Sequence, residues 1–158
     1  SYPRDRSAVS PDIRGQLLVD REQMRRLIDD FRPLIESAAA AEPGRFDLAA
    51  LATVLHSFYG GVENMMKRIA IEIDGAVPKG EASHADLLSQ VANATAARPA
   101  FIDAALRDRL GDYLRFRHVF RHAYAFELSW SKMAPLVYGL LATANDVERA
   151  MDQFLAEL

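Results

Sequence analysis

Between Tyr113 and Trp130 the chain reads YLRFRHVFRHAYAFELSW. This stretch holds Arg115, Arg117, Arg121, His118 and His122, and no acid before Glu127. The whole chain is mildly acidic, with a formal net charge of −3. A cationic, histidine-bearing segment on an acidic protein points to an anion site, and RNA phosphate is one candidate. Histidine, with an ordinary pKa near ~6.5, can take or give a proton around neutrality. Arginine stays charged and can hold phosphate through two parallel hydrogen bonds. These residue types suit RNA cleavage by the neighbouring 2′-hydroxyl, which needs a base, an acid and positive charge on the developing phosphorane. All five are candidates for this chemistry: the arginines Arg115, Arg117 and Arg121 for phosphate, and His118 and His122 for phosphate or proton transfer.

Read as a straight helix at about 100° per residue, the segment turns Tyr113, Phe116, Phe120, Ala123 and Glu127 toward a core. Arg117 and Tyr124 then fall together at the edge of that face, and Arg115, His118 and His122 form a stripe on the other side. Arg117 and His122 point roughly 140° apart, too far for one compact site on one helix. A site completed at a helix or subunit interface is therefore expected, and a symmetric dimer would supply His122 twice, covering acid and base without a metal or other cofactor. His118 and His122 also have the four-residue spacing of a metal face, but no carboxylate shares their stripe. Tyr124 has an alternative reading as a core tyrosine. His56 reads as a packing or surface histidine, and His84 as structural in its turn.

Five helices must position this segment. Apolar residues at three- and four-residue steps mark a helix from Asp12 to about Ala40, which Pro33 should kink or divide. After the Pro43-Gly44 break, a second stripe runs from Leu48 through Leu51, Leu55, Phe58, Val62 and Met65 to Ile73. Gly60-Gly61 inside it suggests a close helix contact or a bend. Asp74–Ala82 reads as a loop, Ser83 as the N-cap of a short third helix, and Thr95–Pro99 as a second loop. A fourth helix begins near Phe101 and runs into the motif. The last follows Trp130, with Ser131 as candidate N-cap and Pro135 in or near the first turn. Strand signals are weak. The expected architecture is one all-α domain over residues 1–158, an up-and-down bundle of about five helices, with residues 1–10 flexible.

Composition narrows the classes further. The chain has 158 residues, half of them hydrophobic, and no cysteine. Disulfides, thiol nucleophiles and thiolate metal sites are excluded. No apolar run approaches the ~18 residues that span a membrane, and the start SYPRDRSAVSPD carries no signal-peptide pattern. A cytoplasmic location is expected.

Beyond the motif, four blocks in order resemble the HepT-like group of the HEPN superfamily, over roughly Phe46 to Leu158. They are SFYGGVENMMKRIA (Ser57–Ala70), PKGEASHADLLSQV (Pro78–Val91), LRFRHVFRHAYAFEL (Leu114–Leu128) and the Trp130–Leu136 segment. Arg117, His122 and Tyr124 occupy the family's Arg-x4-His-x-Tyr positions. One departure is Ala82-Ser83-His84, where an aromatic residue would be expected before the histidine. The resemblance implies a small helical bundle that forms a homodimer with facing motif helices. It implies a metal-independent endoribonuclease toxin in which Arg117 stabilises the phosphorane and His122 moves protons. The implied partner is a minimal nucleotidyltransferase antitoxin, which transfers AMP to Tyr124 and so blocks the cleft. A non-catalytic HEPN subunit that binds the nucleotidyltransferase or a nucleotide, and a generic helical interaction protein, remain as alternatives.

Overall fold

A computed structural model describes residues 11–158; the expectation for residues 1–10 lies outside this range. The described chain is all-α, with α1 Pro11–Ala40, α2 Arg45–Ile69, α3 Ser83–Val91, α4 Ala104–His122 and α5 Trp130–Ala156. The long helices α1, α2 and α5 pack on one another, and α4 lies against α2 and α5. Their apolar stripes meet in one core, which includes Leu17, Phe58, Met65, Leu110, Val137 and Phe154. Arg14 ties the ends of the bundle by donating to the Leu155 and Leu158 carbonyls at 3.0 and 2.9 Å, which gives the C-terminal turn of α5 partners it lacks internally.

Several local expectations need correction. Pro33 does not divide α1. It sits on the exposed side of the helix, where the carbonyl it leaves without a partner meets water instead of core. Ser83 is the first helical residue rather than a cap: Ala82 takes the cap position with no side-chain bond. Likewise α5 starts at Trp130 with Ser129 before it, and the two serines Ser129 and Ser131 bond each other at 3.0 Å. Pro135 therefore falls in the second turn. Helix α4 starts at Ala104 because Asp103 caps it, accepting from the Leu106 amide at 2.7 Å. Helix α2 continues into a wider turn over Ala70–Asp74 and closes at Gly75, whose φ of 74° is the left-handed conformation that glycine adopts without a Cβ penalty. Gly60 and Gly61 do not serve close packing: a Cβ on either would meet nothing within 4 Å. They weaken α2 by roughly 1 kcal/mol each relative to alanine, with no contact to offset it.

The loops on either side of α3 are held by one buried ion pair. Arg98 donates from Nε and Nη2 to the two Asp74 carboxylate oxygens at 2.7 and 2.8 Å. Its remaining donors reach the Asn93, Pro99 and Gln90 carbonyls at 2.9, 3.0 and 3.2 Å. Gln90 donates to Asp74 at 2.8 Å and to the Ala76 carbonyl at 3.0 Å. Burial alone would raise the Asp74 carboxyl, but the Arg98 and Gln90 hydrogen bonds and the Arg98 charge hold it below the usual range. Lysine in place of Arg98 keeps the charge but cannot reproduce the fork, so part-buried carbonyls lose their donors. Arg98→Lys is expected to cost about 1–3 kcal/mol, read as a drop in Tm of roughly 2–4 °C per kcal/mol for a chain of this size.

Candidate functional site

The centre of the candidate site is a residue that the motif does not contain. Glu63 lies on α2 with its side chain only 3% exposed. Arg117 Nη1 donates to Glu63 Oε1 at 3.1 Å, and His84 Nδ1 donates to Oε2 at 2.8 Å. Lys67, one turn along α2, stands 3.4 Å from Oε1. A carboxylate is buried at such cost only when it is paired, and here three helices contribute: α2 the acid and lysine, α3 the histidine, α4 the arginine. Burial alone would raise the Glu63 carboxyl, but the His84 hydrogen bond and the Arg117, His84 and Lys67 charges outweigh it and keep the group below the ordinary value. His84, read from the sequence as structural in a turn, lies instead in the first turn of α3 and bonds the acid behind the motif arginine.

Around this acid the hydrogen bonding is incomplete. Four buried side-chain atoms lack a hydrogen-bond partner among the described residues: Arg21 Nε, His56 Nδ1, Tyr59 Oη and Arg117 Nε. The last is Arg117's own, and His56 and Tyr59 both feel the Arg117 charge. Burial, with Glu63 adding to it and Arg117 opposing it, pushes the Tyr59 hydroxyl well up. Burial, then Arg117 and Arg121, push the His56 ring below its usual value, so it stays neutral and packs against Phe120. Unsatisfied buried groups are rare and concentrate where strain or ligand binding explains them.

The motif residues do not come together on one chain. Arg117 turns inward to Glu63, whereas Arg115, His118, Arg121 and His122 are exposed. The expected stripe of His118 and His122 is present, the rings meeting edge to face at 5.2 Å between centroids. Arg115 is engaged with Asp112 one turn back. Arg121 has no ion-pair partner among the described residues. Tyr113 is buried, and Phe116 and Phe120 pack against the core as the helical reading placed them.

The helical reading fails after His122. Helix α4 stops there, and Ala123 is extended at φ −101° and ψ 142°. Tyr124 therefore does not share a helix edge with Arg117. It precedes a short 3₁₀ turn over Ala125–Glu127, is 70% exposed, and stacks on Phe126, itself 85% exposed. Neither a core tyrosine nor a core-facing Glu127 survives: Glu127 is exposed in that turn. No glycine or proline marks this helix end, which is why periodicity ran through it. Beside it, Phe116, Val119, Ala123, Leu128, Met133 and Leu136 line an open, largely apolar groove of about 480 Å³ between α4 and the start of α5.

The Glu63 carboxyl carries a pH signature. Its folded-state pKa is depressed, so the unfolded chain takes up the proton first as pH falls below the ordinary value of about 4.3. The stability it contributes is therefore present above that pH and is lost as pH drops through the lowered folded value. Asp74 acts in the same direction. Glu63→Gln is expected to lower Tm near neutrality and to flatten part of this acid limb. Thermal unfolding of both proteins from pH 3 to pH 7 checks it, and parallel limbs would refute the assignment.

A family model described as "HepT-like protein" matches residues 50–158, well over half of the chain. The match begins within α2 and takes in Glu63, His84 and the whole Arg117–Tyr124 motif. No curated protein and no solved structure matches. No helix among the described residues is long and apolar enough to cross a membrane.

Proposed function

This chain belongs to the HepT-like family, and we propose that it is a metal-independent endoribonuclease toxin of a HEPN/nucleotidyltransferase pair. The observation that carries this reading is the division of the motif: Arg117 is held inward on Glu63, while His122 stands exposed at the end of the same cationic helix. One chain supplies half a site, and two facing copies supply a whole one. Val119, Tyr124 and Phe126 are exposed apolar groups flanking the histidines. Such a patch favours burial against a second surface, here the motif helix of a second copy. In the dimer, Arg117 stabilises the phosphorane, one His122 accepts the 2′-hydroxyl proton, and the other protonates the departing 5′-oxygen. The products are a 2′,3′-cyclic phosphate and a 5′-hydroxyl.

The exposure of Tyr124 favours the second half of the proposal. A hydroxyl off the helix and clear of the core is reachable by a nucleotidyltransferase partner. AMP added there places an anion near the basic end of α4, where it competes with RNA phosphate. The same exposure supports a non-catalytic subunit that merely accepts AMP. Incubating the protein with mixed RNA in EDTA separates the two. Cleavage leaving 2′,3′-cyclic phosphate ends supports the ribonuclease. Intact RNA together with AMP on Tyr124 supports the acceptor subunit.

A further inference from the structure

Gly60 and Gly61 line an open groove of about 480 Å³ between α1 and α2. Their φ angles are negative, so no backbone conformation demands glycine. The space above them is empty, so no packing demands it either. What the two glycines do is leave bare helix backbone as the floor of the groove. Arg117 and Lys67 line it together with Glu63, which pairs both, so one net positive charge is left there. Gln23 and Asn64 bring side-chain amides, and Asp20, also in the lining, is paired with Arg68. Met24 and Leu27 give it apolar wall. His56 also lines it, and both His56 Nδ1 and Arg117 Nε lack a protein partner. Gly60 lies about one helical turn, ~5 Å, from Glu63 and its cations.

A floor of bare backbone, an apolar wall and two amides, beside two cations that Glu63 only partly neutralises, match a planar heterocycle with a hydrogen-bonding edge, joined to a phosphate. We propose that the Gly60–Gly61 groove is a binding subsite for a nucleoside monophosphate, whose phosphate lies toward Arg117 and Lys67 and whose base lies over the glycines. This deepens the ribonuclease reading by placing the nucleotide next to the scissile phosphate, and it rests on that reading for its role in cleavage. The binding itself does not.

The test uses the full chain carrying His122→Ala, so that RNA stays intact. The probes are the four 5′-mononucleotides and a 2′-O-methylated tetranucleotide, followed by backbone amide NMR. The expected result is saturable shifts at Gly60, Gly61 and Asn64. Gly60→Leu and Gly61→Leu fill open space on a helix, so their Tm holds or rises, while nucleotide binding weakens about tenfold or more. A packing role for the glycines would instead lower Tm. Should a leucine variant not fold, Gly60→Ala with the shift map decides. No shifts at the glycines up to millimolar nucleotide, or unchanged binding in folded leucine variants, overturns the subsite. Binding by both probes identifies an RNA unit, and binding by mononucleotides alone identifies a free nucleotide. RNA cleavage that survives His122→Ala overturns the ribonuclease mechanism and leaves the binding result standing.

Discussion

Replacing His122 with alanine is expected to lower RNA cleavage by about 10²–10⁴-fold, the contribution of a positioned acid–base group, while the fold survives. The structure separates the two effects. His122 is exposed at the end of α4, where its ring meets that of His118. Its loss removes one exposed side chain from the last helical turn, a substitution worth within about 0.5 kcal/mol. Tm should therefore move by no more than a few degrees. The measurement is cleavage of mixed RNA in EDTA by wild type and variant, with the product ends identified. A folded His122→Ala protein that cuts RNA at the wild-type rate removes this residue from the mechanism. Because each proposed dimer carries the residue twice, a mixture of wild-type and variant chains is also informative. Mixed dimers lack one of the two proton carriers and should fall nearer the variant than the average.

What the sequence made legible follows physical lines. Apolar spacing identified five helices because each buries one continuous stripe, and the seam from Leu51 to Ile69 is buried as read. The end of α4 was not legible: Ala123 and Tyr124 carry no stop signal, and the chain leaves the helix without glycine or proline. Asp103 was legible in principle, since an aspartate three residues before Leu106 has the spacing of an N-cap. Glu63 also carried a signal. It stands inside an apolar seam between Val62 and Met65, and a carboxylate there must find partners. Lys67 at the i+4 position is one such partner and is locally legible, but the two hydrogen-bonding partners come from α3 and α4, at 21 and 54 residues' distance, which no local pattern encodes. The expectation that Arg117 and His122 diverge, by contrast, needed only the pitch of a helix.

Arg117 is the residue where mechanism and stability meet, and its removal should affect both. Arg117→Ala takes away the cation proposed to stabilise the phosphorane, expected to cost about 10²–10³-fold in cleavage rate. It also leaves Glu63 with His84 and Lys67 alone, which destabilises the fold by about 1–3 kcal/mol. The double variant Arg117→Ala/Glu63→Gln separates the effects. A neutral amide no longer needs the missing countercharge, so Tm should recover relative to Arg117→Ala, whereas cleavage should stay low. Glu63→Gln alone keeps the guanidinium but loosens its anchor, so cleavage should fall far less than in Arg117→Ala. Rates compared well below the lowest Tm of the set, with Tm values measured alongside, complete the double-mutant cycle. Recovery of cleavage together with Tm in the double variant would make Arg117 a countercharge for Glu63 and nothing more. Recovery of Tm alone assigns the guanidinium to the phosphate, with Glu63 as the group that holds it in position.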